Sequence, residues 1–143
     1  MSVARILEEK GGSVVTVPPH RTIDEAIHQL AEKRIGALIV SDADKAVIGI
    51  LSERDVMRAL AKEGVAVLDA PVSRYMTAKV DTCTRATSIE ELMEMMTEGR
   101  FRHVPVVEDG HLIGVVSIGD VVKRRIAAVE ADYQAMRDYI TLA

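Results

Sequence analysis

The sequence predicts an α+β fold in which two β-α-β-β-α repeats pack with pseudo-two-fold symmetry and are followed by a C-terminal helix. Three observations support this prediction: blocks of sequence recur in the same order, matching helices open with the same capping pattern, and apolar residues near the end follow a heptad spacing. The chain has 143 residues. A repeat of roughly 60 residues buries only about 60 % of its unfolded surface, so we expect the two repeats to cover each other.

The repeat is visible as three pairs of matching blocks. They are 22–27 with 88–93, 34–40 with 100–106, and 48–56 with 113–121. The first two pairs are 66 residues apart and the third is 65 apart, so one residue has been lost in a turn between the second and third blocks. Blocks in the same order at nearly constant spacing indicate a tandem duplication.

Each copy contains the same predicted elements. One helix opens at Thr22 with Glu25 three residues on, and its copy opens at Ser88 with Glu91, so both are capping boxes. Apolar residues at i, i+3, i+4 and i+7 give each of these helices one buried face. A second helix closes each copy. The predicted strands are 13–17, 37–40 and 47–51 in the first copy and 79–83, 104–107 and 112–117 in the second.

Composition and charge exclude several classes of protein. The net charge of −4 and the pI near 5.6 argue against general nucleic-acid binding, and aromatic residues, at 3 %, are too few for base stacking. No apolar run is long enough to cross a bilayer, and the N-terminus lacks a secretory pattern. The single cysteine, Cys83, fits a reducing compartment. We therefore expect a cytoplasmic protein with neither a membrane nor a nucleic-acid partner.

Catalysis is not expected either. The histidines are scattered without metal-ligand spacing, Cys83 has no partner identifiable in the sequence, and no glycine-rich phosphate loop is present. The sequence therefore predicts no catalytic residues and no metal, and it favours a protein that binds a ligand without converting it.

The strongest candidate site lies where the third strand of each copy runs into its closing helix. Both copies place Gly, two aliphatic residues, Ser, two variable residues and Asp there, over 49–55 and 114–120. A carboxylate can accept hydrogen bonds from both hydroxyls of a vicinal diol, such as that of a ribose. Alternatively, Ser52 and Ser117 are helix N-caps and the aspartates complement the helix dipole. The spacing leaves both interpretations open.

The block order, and the Gly-aliphatic-aliphatic-Ser-x-x-Asp ending in particular, resembles the CBS (cystathionine β-synthase) domain, and two copies in tandem resemble a Bateman module. The resemblance covers residues 6–122. It implies clefts that bind AMP, ADP, ATP or NAD(H), with S-adenosylmethionine less favoured. It also implies that Asp55 and Asp120 hold the ribose hydroxyls and that Ser52 and Ser117 contact ribose or phosphate.

The resemblance further implies that the purine lies against the first and second strands of each copy. The corresponding positions are Thr16, Val17, Pro18, Gly36, Ala37 and Leu38 in the first copy and Thr82, Cys83, His103, Val104 and Pro105 in the second.

The two copies differ in basic residues, so we expect unequal clefts. The second copy has Arg100, Arg102 and His103 beside its cleft, where they could receive phosphates. Alternatively, the two arginines alternate outward on a strand and are solvated. Arg54, whose counterpart is Gly119, could reach a phosphate at either cleft or lie in water.

The chain is divided by prediction into 1–68 (first repeat with the N-terminal segment), 69–78 (linker), 79–122 (second repeat) and 123–143 (C-terminal helix). A helix is predicted from about Gly119 to Leu142. Its apolar residues at alternating spacings of four and three are Val122, Ile126, Val129, Tyr133, Met136 and Ile140. This apolar stripe either packs on its own module, including Val3, Ile6 and Leu7, or forms a contact between the subunits of a homodimer.

Together these features predict a stand-alone regulatory module that senses an adenine nucleotide and signals to an unknown protein partner in trans. The alternative is a structural interaction protein whose clefts are degenerate and hold no ligand. Intact serines and aspartates in both copies favour the sensor.

Overall fold

The computed structural model describes residues 1–12 and 14–142. Its helices are α1 (Val3–Lys10), α2 (Ile23–Lys33), α3 (Glu53–Glu63), α4 (Ile89–Gly99) and α5 (Ile118–Leu142). Its strands are β1 (Thr16–Val17), β2 (Ala37–Ser41), β3 (Val47–Ser52), β4 (His103–Glu108) and β5 (His111–Ser117). Two short 3-10 helices, Val65–Asp69 and Val72–Arg74, lie in the connection between the repeats. The predicted α+β class and repeat order are confirmed.

The first repeat contains a three-stranded sheet of order β1-β2-β3. Strand β1 pairs in parallel with β2, and β2 pairs antiparallel with β3, with Ala37 opposite Ser52. Helix α2 begins where predicted, because the Thr22 side chain accepts a hydrogen bond from the Glu25 amide at 3.1 Å. Strand β1 is shorter than the predicted 13–17, and Ser13 lies outside the described residues.

The second repeat contains only a two-stranded sheet, β4-β5. The strand predicted over 79–83 does not form; Cys83 alone makes a parallel bridge, with Val106. Its N–H donates to Pro105 O and its carbonyl accepts from Val107 N–H, both at 2.9 Å. Cys83 is buried while Thr82 and Thr84 are exposed. The segment thus crosses the sheet edge at one residue instead of lying along it.

Helix α1 packs in the core of the second repeat, although the sequence led us to group it with the first. Val3, Ile6 and Leu7 are buried among residues of α4, β4 and β5. In the first repeat, the corresponding apolar surface is covered by the connection between the repeats, through Val67 and Val72. The reason is the helical spacing of the three α1 residues, which forms one apolar face that fits the uncovered second core.

Backbone hydrogen bonds show the same internal symmetry. The Ile23 N–H that begins α2 donates to Ala70 O at 2.9 Å, and the Ile89 N–H that begins α4 donates to Met1 O at 3.2 Å. The N-terminal segment therefore does for the second repeat what the inter-repeat connection does for the first.

Helix α5 contributes one buried residue, Val121, to the second core. The six residues of its apolar stripe, by contrast, are between 48 % and 68 % exposed. The interpretation that the stripe packs on its own module is therefore wrong, because the neighbouring Val121 faces that core instead. No helix in the described part of the chain combines the length and apolarity needed to cross a membrane.

Candidate functional site

In the first repeat the candidate site is a reciprocal capping box. Ser52 ends β3 and caps α3: its hydroxyl oxygen accepts from the Asp55 N–H at 3.2 Å, and Asp55 Oδ2 accepts from the Ser52 N–H at 2.9 Å. The capping role considered for Ser52 is therefore real, and it extends to Asp55. It uses only one oxygen of the carboxylate.

The second repeat has the same reciprocal capping box, and a lysine ammonium also contacts its carboxylate. Ser117 and Asp120 exchange bonds of 3.2 and 2.9 Å, and the Ser117 hydroxyl also donates to Asp120 Oδ2 at 3.0 Å. Lys10, the last residue of α1, donates from Nζ to the same Oδ2 at 2.6 Å and to Val115 O at 2.8 Å. The two aspartates thus have equivalent backbone settings and different electrostatic ones.

The pKa of Asp120 reflects this setting. Burial of the carboxyl raises the pKa, but the hydrogen bonds from Lys10 and Ser117 outweigh burial, and the pKa lies below its usual value. Asp120 is therefore an anion near neutral pH. The bonds from residues 1–12 and 14–142 fall on Oδ2 of each aspartate, which leaves each Oδ1 as an acceptor for a ligand.

His103 brings the second repeat against the first. A Cβ added at Gly36 would lie 3.7 Å from Cε1 of His103 and 3.6 Å from Oε1 of Glu53. The start of α3 is fixed there, because the Glu53 N–H donates to Gly36 O at 2.9 Å. Burial and the nearby Lys10 charge lower the pKa of His103, with smaller effects from Asp120, Glu53 and Arg102. The imidazole is consequently neutral near pH 7.

The two arginines predicted beside the second cleft, Arg100 and Arg102, are exposed, but they do not lie on a strand. Arg100 caps the end of α4 with φ 56°, and β4 begins only at His103. Arg102 holds the start of α5, since its carbonyl accepts from the Ile118 N–H at 2.8 Å. The interpretation that these arginines alternate along a strand is therefore wrong. Arg54 is exposed in the first turn of α3.

The structure divides the predicted site residues by burial. Buried are Val17, Leu38, Cys83, Val104 and Pro105; partly buried are Thr16, Gly36, Ala37, Ser52, Asp55, His103, Ser117 and Asp120; exposed are Pro18, Arg54, Thr82, Arg100 and Arg102. Burial raises the pKa of the Cys83 thiol to about 11, so this sulfur is protonated and unreactive. Lys10 and Glu53 were missed. Glu53 directly follows Ser52 in the motif, whereas no local pattern marks Lys10.

Two cavities flank these junctions. One, of about 710 Å³, lies between α2 and α3 and reaches Arg34, Gly36 and Glu53. The other, of about 650 Å³, lies beside the start of α5 and is lined by Arg102, Ile118, Gly119, Val122, Lys123 and Ile126. Neither cavity is lined by Asp55 or Asp120. Among the described residues no group of three His, Cys, Asp or Glu side chains is arranged to hold a metal ion.

Known proteins resemble this chain in sequence and in fold. The CBS domain family profile matches residues 6–62 and 72–127. The crystal structure of the CBS-domain containing protein ATU1752 from Agrobacterium tumefaciens superimposes with a TM-score of 0.85 at 50 % identity, over 87 % of this chain and 99 % of that one. The CBS domain protein PAE2072 from Pyrobaculum aerophilum, solved in complex with AMP, gives a TM-score of 0.75 at 30 % identity, over 84 % and 89 % of the two chains.

A curated relative, the mitochondrial CBS domain-containing protein CBSX3 of Arabidopsis thaliana, is 31 % identical over 147 residues, which cover 97 % of this chain and 71 % of that protein. The chain spans 66 % of the length of a second curated relative, from Acidianus ambivalens, at 36 % identity over 111 residues and 77 % of this chain.

Proposed function

The chain belongs to the CBS domain family, with two copies in tandem, and on that premise we propose that it is a regulatory module that binds an adenosine-containing nucleotide beside Asp55 and Asp120. Proteins built only of CBS domains are generally regulatory, not catalytic. A ligand-dependent signal to a protein partner in trans is the proposed output. Because its one cysteine is a buried, free thiol, we propose a reducing compartment such as the cytoplasm.

The observation that supports this proposal is that each of the two carboxylates has one hydrogen-bonded oxygen and one oxygen left as an acceptor. Asp55 and Asp120 are each held by a serine at the start of a helix, with Oδ2 engaged and Oδ1 left as an acceptor. A fixed anion with a spare oxygen suits the hydroxyls of a ribose. The capping box therefore supports the ligand role, because it orients the carboxylate before a ligand arrives.

The ligand class is supported by the relative solved with AMP, which is 30 % identical to this chain. We propose AMP, ADP, ATP or NAD(H) as the natural ligand, with phosphates received by Arg102 and His103. His103 begins β4 and lies near Gly36 of the first repeat, and Arg102 directly precedes it. Arg54, exposed in the first turn of α3, is the basic residue nearest to Asp55 in sequence.

Energetics show why the aspartates cannot act alone. A hydrogen bond to a charged group contributes about 1.5–3 kcal/mol, whereas micromolar affinity needs about 8 kcal/mol. Burial of the purine and pairing of the phosphates must supply the difference. The carboxylates therefore orient the sugar, and the partly buried residues Ala37 and His103, which keep accessible surface on the second strand of each copy, lie against the purine.

Thermal unfolding with AMP, ADP, ATP, NADH and S-adenosylmethionine tests the proposal. A sensor unfolds at a higher temperature with at least one of these ligands. Isothermal titration with that ligand then gives the stoichiometry, and we expect either unequal affinities or one site per chain. Two equal and independent sites would contradict the inequality of the clefts, and no shift with any ligand would contradict the sensor.

A homodimer is the second part of the proposal. Helix α5 exposes Val122, Ile126 and Val129 in one stripe, and it borders the 650 Å³ cavity. Exposed apolar stripes of this kind mark interaction surfaces. A second copy of α5, with the same heptad spacing, would cover the stripe.

The alternative, a scaffold without ligand, is favoured by one observation. The capping boxes give Ser52 and Asp55 a structural role that needs no nucleotide. A scaffold would show no thermal shift with any adenosyl compound and would still form its dimer.

A further inference from the structure

We infer that Lys10 competes with the ribose for Asp120, so that the second cleft binds an adenosyl ligand more tightly when the Lys10 ammonium leaves the carboxylate. The inference rests on the proposed function and assigns the regulation of that same site. It predicts that the first cleft, at Asp55, fills before the second.

The first step of the argument is the capacity of Asp120 Oδ2. This oxygen accepts from the Ser117 N–H, the Ser117 hydroxyl and Lys10 Nζ, at 2.9, 3.0 and 2.6 Å. A carboxylate oxygen has two lone pairs. It therefore has no capacity left for a hydroxyl, and a vicinal diol cannot engage both carboxylate oxygens while Lys10 is in place.

Asp55 provides the contrast within the same molecule. Its Oδ2 accepts from the Ser52 N–H alone among the described residues. One lone pair of Oδ2 and the whole of Oδ1 remain for a ligand. Both hydroxyls of a ribose can be accepted there without breaking any contact.

The second step is that Lys10 is tethered beside the site. Helix α1 is anchored by its buried residues in the second core, and Glu9 forms an ion pair with Arg124 of α5. Lys10 also donates to Val115 O at 2.8 Å. When the Lys10 side chain moves away from Asp120, α1 stays packed on the second core. The ammonium therefore remains near the carboxylate and competes with the ribose hydroxyls for it at high effective concentration.

The internal symmetry supplies a matched control. Leu7 packs on Gly114 as Met76 packs on Gly49, and the residues three positions further along the chain are Lys10 and Lys79. Lys79 is exposed and forms no ion pair with any residue of the described chain. Replacing either lysine by glutamine removes the same charge, but only Lys10→Gln frees an aspartate.

The test is adenosine binding, measured by titration calorimetry in the Asp55→Ala background so that the second cleft is observed. Adenosine carries no phosphate, so general charge attraction does not enter. Lys10→Gln is expected to tighten adenosine binding about two- to fivefold, the range for a partly exposed ion pair. Lys79→Gln is expected to match the parent. Affinity in Lys10→Gln that equals or falls below the parent would overturn the inference.

Salt gives an independent readout. Screening weakens the Lys10–Asp120 pair, so the parent should bind adenosine more tightly as salt increases, and the Lys10→Gln variant should not. If the adenosine affinity of the Asp55→Ala parent does not change with salt concentration, the inference is also overturned. If none of adenosine, AMP, ADP, ATP and NADH binds to the unmodified chain or to Lys10→Gln, the proposed function itself fails. That result differs from binding that occurs but is unaffected by the Lys10 substitution.

Discussion

Leu7 of α1 lies directly over Gly114 of β5, so close that a Cβ added to the glycine would be 2.6 Å from Leu7 Cδ2. The first repeat has the same relationship between Met76 and Gly49, where the added Cβ would be 2.5 Å from the sulfur. In both repeats an apolar side chain packs directly on the glycine that opens the candidate motif.

Replacing Gly114 by alanine should therefore lower the free energy of unfolding by about 1–3 kcal/mol, because the new methyl group overpacks the buried Leu7. Denaturant unfolding measures the change. In a Leu7→Ala background the same substitution should cost much less. An equal cost in both backgrounds would show that Leu7 is not the obstacle.

Replacing Asp55 or Asp120 by alanine should weaken nucleotide binding by about ten- to a hundredfold, at about 1.4 kcal/mol per tenfold change. Each variant also loses half of a capping box, so its stability should fall by about 1 kcal/mol. Ser88→Ala is the control, since Ser88 caps α4 outside the candidate site. It should lose similar stability and bind normally, and binding that survives both aspartate changes would refute the ribose assignment.

The Lys10–Asp120 pair should stabilise the fold at neutral pH and cease to do so in acid. The pKa of Asp120 is lowered by folding, so its contribution is present above the usual aspartate pKa and disappears as the pH falls through the lower folded value. The side chains are 35 % and 24 % exposed, which limits the contribution to about 1 kcal/mol or less. Unfolding of the unmodified chain and of Lys10→Gln should differ at pH 7 and converge in acid; a difference that persists there would contradict this account.

His103 should titrate below its ordinary pKa of 6.5, because burial disfavours the imidazolium and Lys10 repels it. Since the folded state favours neutral His103, its effect is to lower stability as the pH drops through 6.5 toward the folded pKa. NMR titration of the imidazole should show the pKa rising in Lys10→Gln and unchanged in Lys79→Gln. A pKa at or above 6.5 in the unmodified chain would contradict the burial seen here.

Introducing charged side chains into the apolar stripe of α5 should dissociate the proposed homodimer. Val122 and Ile126 are 48 % and 53 % exposed, so changing both to glutamate leaves the monomer core intact. Sedimentation should show a dimer for the unmodified chain and a monomer for the double variant, with equal thermal stability at low concentration. A chain that is monomeric before the change would refute the dimer.

The parts that the sequence predicted correctly depend on local spacing. Thr22 and Ser88 begin helices as expected, since an N-cap is decided within one turn. The strand-to-helix junctions at Ser52 and Ser117 are also where the motif placed them. The strand predicted over 79–83 does not form, because a strand needs a partner along its length, which local composition does not reveal.

The site was predicted in part for the same reason. The two aspartates and their serines share one motif, so they could be found together. Lys10 is 110 residues from Asp120 in the chain, and no sequence pattern around either residue predicts their contact. Glu53 and His103 likewise meet across Gly36 only because the two repeats pack together.

By itself the sequence determined that this protein is a duplicated α+β module with a serine and an aspartate at each of two equivalent helix starts. Only the tertiary structure decided that the N-terminal helix covers the second repeat and that its lysine sits on one aspartate and not the other. The physical reason is that hydrogen-bond caps close within a few residues, whereas an apolar helix packs wherever the folded repeats leave an apolar surface uncovered.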